Sequence, residues 1–384
     1  TAGAFTVNLP AGSAGAIVSL ADYAATWQTN NLTVSPNGTD KIGSVNTDVS
    51  LSTEGQSVTF VYVDSTQGWI NTMDSTSNVR GNEFIIATGG TIATCGDCKI
   101  HTFTGPGTFT VSAVGSCAAN NLVSHMVVAG GGGGTCDVGG GGGAGGFREV
   151  KSPVTPYTAS PLDGYPSAPN RVTVTATGYP VTVGAGGAAG SYPPTCQTPG
   201  CSGNTSIFST VTSTGGGGGG GSLSSPGPAI NGGSGGGGYR GCRAGGTGNS
   251  PPVSPAQGRN GGNGGPGSGG AGGGGGAGCT GQNGSADNGG GAAGGNGVST
   301  SISGSSVTRA GGGGGGTRVN PPNASPGGAG GAGGGGAGSG GGPTGVDATP
   351  GTANTGGGGG GAVNAPGSGG TGGSGIVIIR YKFQ

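Results

Sequence analysis

Glycine decides what this chain can become. Gly-only runs occupy Gly130–Gly134, Gly139–Gly143, Gly215–Gly221, Gly235–Gly238, Gly272–Gly276, Gly311–Gly316, Gly333–Gly336 and Gly356–Gly361. Short segments rich in Pro, Asn, Tyr, Arg and Cys separate them. Ordering a residue's backbone costs about 1–2 kcal/mol, and glycine has the most freedom to lose and no side chain to bury in return. Composition alone therefore favours disorder. Three features argue for order: punctuation of the runs at irregular but short intervals, a β-prone ending over Gly375-Ile-Val-Ile-Ile-Arg-Tyr-Lys382 that needs pairing partners, and eight cysteines. Collagen is excluded, because glycine does not recur strictly every third residue. Extended chains with three residues per turn can instead pack side by side, each N–H and C=O bonding a neighbour. At a net gain of about 0.5–1.5 kcal/mol per bond, such packing offsets the entropy only when nearly every group is paired. The expected core is thus a slab of polyglycine type II helices, in which an interior side chain would act as a wedge.

Glycine is unevenly spread. Only 14 of the 107 lie in the first 129 residues, where both tryptophans, Trp27 and Trp69, also fall. The 384 residues are enough for two or three domains. Formal net charge is zero with 7% charged residues, which argues against nucleic-acid capture. No stretch of about 20 apolar residues exists to insert in a membrane. Thr1 is not a start methionine, which points to a processed chain or a fragment.

The expected fold class is all-β plus polyglycine II. Residues 1–85 read as a small antiparallel β module. Its strands fall near Ala4–Leu9, Ala16–Leu20, Asn31–Val34, Val49–Leu51, Gln56–Val63 and Gly68–Ile70, with Ser35-Pro-Asn-Gly-Thr39 as a strong turn. Asp22, Asp64 and Trp69 are expected to cap turns and fill the core. Residues 86–105 read as a connector and 106–384 as a glycine-rich domain. That domain has a β base from 106–212 and 375–384, and a slab within 130–374. Among the cysteines, Cys95-Gly-Asp-Cys98 reads as part of a disulfide framework, as half a zinc site with Cys117 and Cys136, or as a redox pair. Disulfides are the leading expectation, with Cys196–Cys201 the most local pair and Cys242–Cys279 a staple between loops. The even count fits an oxidising, extracellular setting.

Two stretches carry a family resemblance. Leu20-Ala-Asp-Tyr-Ala-Ala-Thr-Trp27, Asn30–Val34, Phe60–Asp64 and Gly68–Asn71 resemble small β modules of bacteriophage tail fibres, which often assemble as trimers with one sheet from each chain facing a shared axis. His101-Thr-Phe-Thr-Gly-Pro-Gly-Thr-Phe-Thr-Val111, Met126–Gly130, Val181–Gly186 and Gly372–Tyr381 resemble the glycine-rich C-terminal domain of phage tail-fibre adhesins. In those adhesins a polyglycine II sandwich presents loops that bind the host. The resemblance implies a receptor-binding protein at the distal end of a virion tail fibre. Its partners would be a host outer-membrane protein or glycan and other fibre proteins, and its assembly a homotrimer. The eight cysteines and the N-terminal module depart from that pattern. An extracellular filament or sheath subunit is the alternative.

Chemistry is sparse. Glycine strings of GxGxxG type follow no βαβ pattern and lack a GK[ST] ending. His101 and His125 sit in expected strands, and the acidic residues are scattered. No catalytic constellation and no cofactor site emerge, so an enzyme is not expected. Loop aromatics and arginines, the types favoured at binding hot spots, are the recognition candidates: Tyr192, Tyr239, Arg240, Arg243, Arg259, Arg309 and Arg318. Strands in a slab reverse direction, so only about half of the loops lie at any one end.

Overall fold

A computed structural model describes residues 3–75, 83–190, 199–221, 227–286, 289–320, 323–340, 347–363 and 367–384. The chain divides after residue 81 into two units.

In the first unit, β1 (Phe5–Asn8), β2 (Ile17–Ala21), β3 (Leu32–Ser35), β4 (Val49–Leu51), β5 (Ser57–Asp64) and β6 (Gly68–Ser75) form two three-stranded sheets. Their orders are β1-β3-β4 and β2-β5-β6. All pairings are antiparallel except β1 with β3, which is parallel. Alternating residues from both sheets, among them Leu32, Val34, Val58, Phe60 and Trp69, share one core with Trp27. Asp22 is buried and accepts bonds from the amides of Thr26, Trp27 and Gly55, while Asp64 accepts from Thr66 and Gln67. Both carboxylates therefore cap turns, and Trp69 is core, as the sequence suggests.

The second unit contains β7 (Ile86–Thr88), β8 (Thr91–Cys95), β9 (Cys98–Phe103), β10 (Gly107–Ala113), β11 (Leu122–Val128), β12 (Phe147–Val150), β13 (Val172–Thr173) and β14 (Gly178–Thr182). These are followed by β15 (Ser206–Phe208), β16 (Val211–Ser213), β17 (Val298–Thr300), β18 (Val307–Arg309), β19 (Val319–Asn320), β20 (Asn323–Ala324) and β21 (Ile376–Lys382). Among the described residues the helical content is two 3₁₀ turns, Ala118–Asn121 and Ala168–Asn170. No sheet is closed. One sheet runs β16-β15-β14-β10-β7; another runs β12-β11-β21-β9-β8, with β13 also on β11. The stretch 86–105 is thus not a connector. It supplies β7, β8 and β9, because Ile100 and Phe103 are needed in the core.

The ending Ile376–Lys382 lies between β11 and β9, antiparallel to both. Its unbroken apolar run follows from burial on two faces. Val377, Ile379 and Tyr381 pack against Phe109 and Phe208 of the other sheet. Ile376 and Ile378 face Phe147, Met126 and Ile302 on the opposite side. Arg380 points to the second face, where its guanidinium donates to the carbonyls of Pro156, Ser301 and Ile302. Ile302 comes from the β17–β18 hairpin, a three-residue pairing inside the glycine region that the sequence reading missed.

The glycine runs continue from these strands. β11 flows into 129–135, 139–146 flows into β12, and 367–375 flows into β21. The segments keep the neighbours of their strands: Gly132 N donates to Gly143 O, and Gly131 N to Gly373 O. At the centre, Gly141, Gly142 and Gly143 donate in turn to Gly272, Gly359 and Gly217, at 3.2, 2.8 and 2.8 Å. Their carbonyls accept from Gly237, Gly313 and Gly132, at 2.7, 2.8 and 2.8 Å. One segment thus bonds six others. Three residues on, Ala144, Gly145 and Gly146 donate to Gly275, Gly356 and Thr214, members of the same three donor-side neighbours. The bonding directions repeat every three residues.

Close approach, not unusual torsion, is what demands glycine here. Within the eight runs only Gly333, Gly334 and Gly356 have positive φ. A Cβ added at Gly142 would sit 2.6 Å from the backbone carbon of Gly132 and closer still to its oxygen. Real Cβ atoms do not approach backbone that closely, so an interior side chain is excluded at native packing density.

Candidate recognition surface

The array has a direction. Because 129–135 leaves β11 and 139–146 enters β12, the turn 135–138 lies at the end away from the sheets. Gly140 N donates to Gly220 O and Gly146 N to Thr214 O, so 214–220 also runs outward. Ser234 pairs with Ala144 and Gly237 with Gly141, so 234–238 runs outward and delivers Tyr239–Arg243 to the far end. Gly313 pairs with Gly142 and Gly316 with Gly139, which delivers Arg318 to the same end. Arg259 and Arg309 lie toward the sheets: Arg259 O accepts from Gly235, and Arg309 begins the outward run 311–316.

The arginine and tyrosine candidates therefore separate. Arg240, Arg243 and Arg318 share the far end. Arg240 Nε donates to the Tyr239 hydroxyl at 3.0 Å, and the guanidinium lies over that ring at 5.5 Å. The Tyr239 hydroxyl faces an Asp137 carboxylate oxygen at 3.5 Å. The Tyr239 ring itself is buried at 2% exposure, so it props Arg240 and offers no surface of its own. Arg318 is exposed and donates to Ser268 Oγ in a neighbouring far-end turn, at 2.8 Å. Arg259 is exposed but belongs to the opposite half of the array. Tyr192 and Cys196 lie outside the described residues.

Arg309 is a correction. It is 7% exposed and packs beside the buried carboxylate of Glu149. Burial lowers its pKa, and the Glu149 charge opposes that shift. Glu149 accepts from the Ser160 amide at 2.9 Å and from the Thr300 hydroxyl. Burial pushes the Glu149 carboxyl upward, and the Ser160 and Thr300 hydrogen bonds partly offset it. This network holds the β17–β18 hairpin to β12; it is interior structure. Sequence reasoning missed Glu149, whose only signal is an acidic residue at a position where the strand pattern requires an apolar one.

The cysteines also differ from expectation. Cys136 is disulfide-bonded. Cys95, Cys98, Cys117, Cys201, Cys242 and Cys279 are free, so neither a Cys196–Cys201 bridge nor a Cys242–Cys279 staple forms. Cys95 and Cys98 face each other across the β8–β9 turn as free thiols. The segments of Cys201, Cys242 and Cys279 are held instead by backbone hydrogen bonds, to Ala188, Gly265 and Asn296. Among the described residues, no group of three or more His, Cys, Asp or Glu is placed to hold a metal ion.

His101 and His125 are both core residues. His101 Nδ1 bonds the Gly89 carbonyl oxygen at 2.7 Å and its ring stacks on Tyr381. His125 is fully buried beside Phe208, and neither ring nitrogen has a hydrogen-bond partner among the described residues. Burial, reinforced by the Arg148 charge, lowers its pKa to about 3, so it is neutral.

The glycine-rich domain family matches residues 102–382. The chain belongs to that family. No curated protein is similar to it.

Proposed function

We propose that the protein is the receptor-binding adhesin of a bacteriophage tail fibre, attaching the virion to the bacterial surface. In this reading the runs pack as polyglycine type II helices. The three-residue repeat of bonding directions supports that assignment, since a threefold extended helix directs successive amides about 120° apart. The carrying observation is the gathering of Arg240, Arg243 and Arg318 on loops at one end of a hydrogen-bonded array. Rigid mounts with variable loops suit recognition, because little ordering entropy remains to be lost on binding.

The first unit serves as the trimerising module. Its support is an outer sheet face without charge: Ile17, Val61 and Ile70 form one cross-strand row, and Ser19, Thr59 and Met73 lie beside it. Ile17 and Met73 are 66% and 70% exposed. Sedimentation of the purified chain is expected to give three copies, and a monomer would refute this part. The adhesin role is tested by competition. Purified protein added to host cells is expected to block adsorption of the phage that carries it. Unchanged adsorption, or polymerisation of the protein into filaments, would favour the filament-subunit alternative.

A further inference from the structure

The far-end loops leave an open pocket of about 350 Å³ between Gly221, Gly227, Pro228, Arg243 and Ala244. This lies at the small end of the range for small-molecule sites, about 300–1,000 Å³. Its backbone is held on several sides: Gly221 N donates to Gly227 O at 3.1 Å, Ile230 N to Gly218 O at 3.0 Å, and Gly264 N to Arg243 O at 2.8 Å. Among the described residues, the side chains on that wall are small, apart from Arg243 and the Pro228 ring, and none is acidic. Arg243 is exposed, and its guanidinium has no hydrogen-bond or ion-pair partner among the described residues. It differs in this from Arg240 and Arg318, which are tied to Tyr239 and Ser268. The amides of Gly227 and Ala244 likewise donate to nothing among the described residues. A planar guanidinium matches a carboxylate or phosphate with two parallel hydrogen bonds, and free amides nearby add donors for the same anion.

We propose that this pocket binds an anionic sugar of the bacterial surface, one bearing a carboxylate or a phosphate, with Arg243 as the anchor. The proposal rests on the adhesin reading, which supplies the glycan; the pocket supplies the preference for charge. Calorimetric titration of the full chain tests it with three probes: oligogalacturonate for carboxylate, mannose 6-phosphate for phosphate, and neutral maltooligosaccharide. At least one charged probe is expected to bind and the neutral one not. Arg243→Ala is expected to weaken that binding tenfold or more at an unchanged melting temperature, Arg243→Lys to retain part of it, and Arg259→Ala to leave it intact. Equal binding by Arg243→Ala, equal binding of the neutral probe, or no binding of either charged probe would overturn the proposal. Adhesion of the labelled protein to a panel of bacterial strains separates it from the reading it rests on. Adhesion that survives Arg243→Ala unchanged overturns the pocket and spares the adhesin. Arg243-dependent binding of a charged probe without adhesion to any strain does the reverse.

Discussion

Gly313→Val probes the interior of the array, where backbone surrounds the glycine. Gly313 N donates to Gly142 O and its carbonyl accepts from Gly274 N, both at 2.8 Å. A Cβ there would lie 2.6 Å from the carbonyl carbon of Gly359 and 3.2 Å from Gly142 N. These are backbone atoms, which cannot rotate away as a flexible side chain can. Overpacking costs about 1–3 kcal/mol. Parting the strands also weakens two hydrogen bonds worth about 0.5–1.5 kcal/mol each. A loss of about 3 kcal/mol corresponds to a fall in Tm of about 5 °C for the unit Asn82–Gln384. Differential scanning calorimetry is the assay. Ala332→Ser is the control, because Ala332 is exposed on the outer side of an edge segment; a surface change there should stay within about 0.5 kcal/mol. A Gly313→Val protein that melts together with the control would refute the packing argument.

Three further outcomes follow from the same structure. His125 is neutral when folded and titrates near its ordinary value of 6.5 when unfolded, so its burial favours the fold above pH 6.5 and progressively less down to about pH 3. At pH 5 the loss is about 2 kcal/mol; urea melts of the parent should show that decline and those of His125→Leu should not, and equal pH slopes would contradict it. Thiol labelling of the native protein should modify the exposed Cys117, Cys201, Cys242 and Cys279 within minutes and spare buried Cys98 until unfolding, and labelling of Cys98 at the same rate would place it elsewhere. Asp22→Ala strips three amides of their acceptor in the first unit and should cost about 1–3 kcal/mol in chemical denaturation, whereas an unchanged midpoint would mean that water replaces the carboxylate.

Much of the fold was legible because its strands obey simple patterns. The strand expected over Gln56–Val63 forms as Ser57–Asp64, with Val58, Phe60 and Tyr62 inward. The order of the glycine region was legible as an argument about unpaired amides, and the edges of the array carry a signal that spacing could have revealed. Pro326, Ala329 and Ala332 are exposed at three-residue intervals, while Gly328 and Gly331 between them are buried. Ala185 and Ala188 repeat the pattern. A side chain exposed at every third residue matches the three-residue repeat of bonding directions, just as alternation matches a sheet face. Other features were not readable. The β17–β18 hairpin has three residues per strand, too few for a period to emerge. The buried state of Arg309 depends on Glu149, which lies far away in sequence. Which loops share an end follows from counting reversals, but the count needs the β11 junction as its origin. The even number of cysteines suggested bridges; Cys136 is bridged, while the segments of Cys201, Cys242 and Cys279 are held through backbone hydrogen bonds.

The most direct test is residue-resolved amide hydrogen exchange across Gly139–Gly146. Every amide there donates to a backbone oxygen of another segment: Ala362, Gly220, Gly272, Gly359, Gly217, Gly275, Gly356 and Thr214 in turn. An unpaired glycine tract exchanges within seconds at neutral pH, whereas a cooperative array opens only by local or global unfolding. The structure predicts protection at all eight positions, comparable to that of the β11 and β21 amides. Exchange of this segment at the rate of a free peptide, with β11 and β21 still protected, would contradict the packed array and with it the mount for the loops.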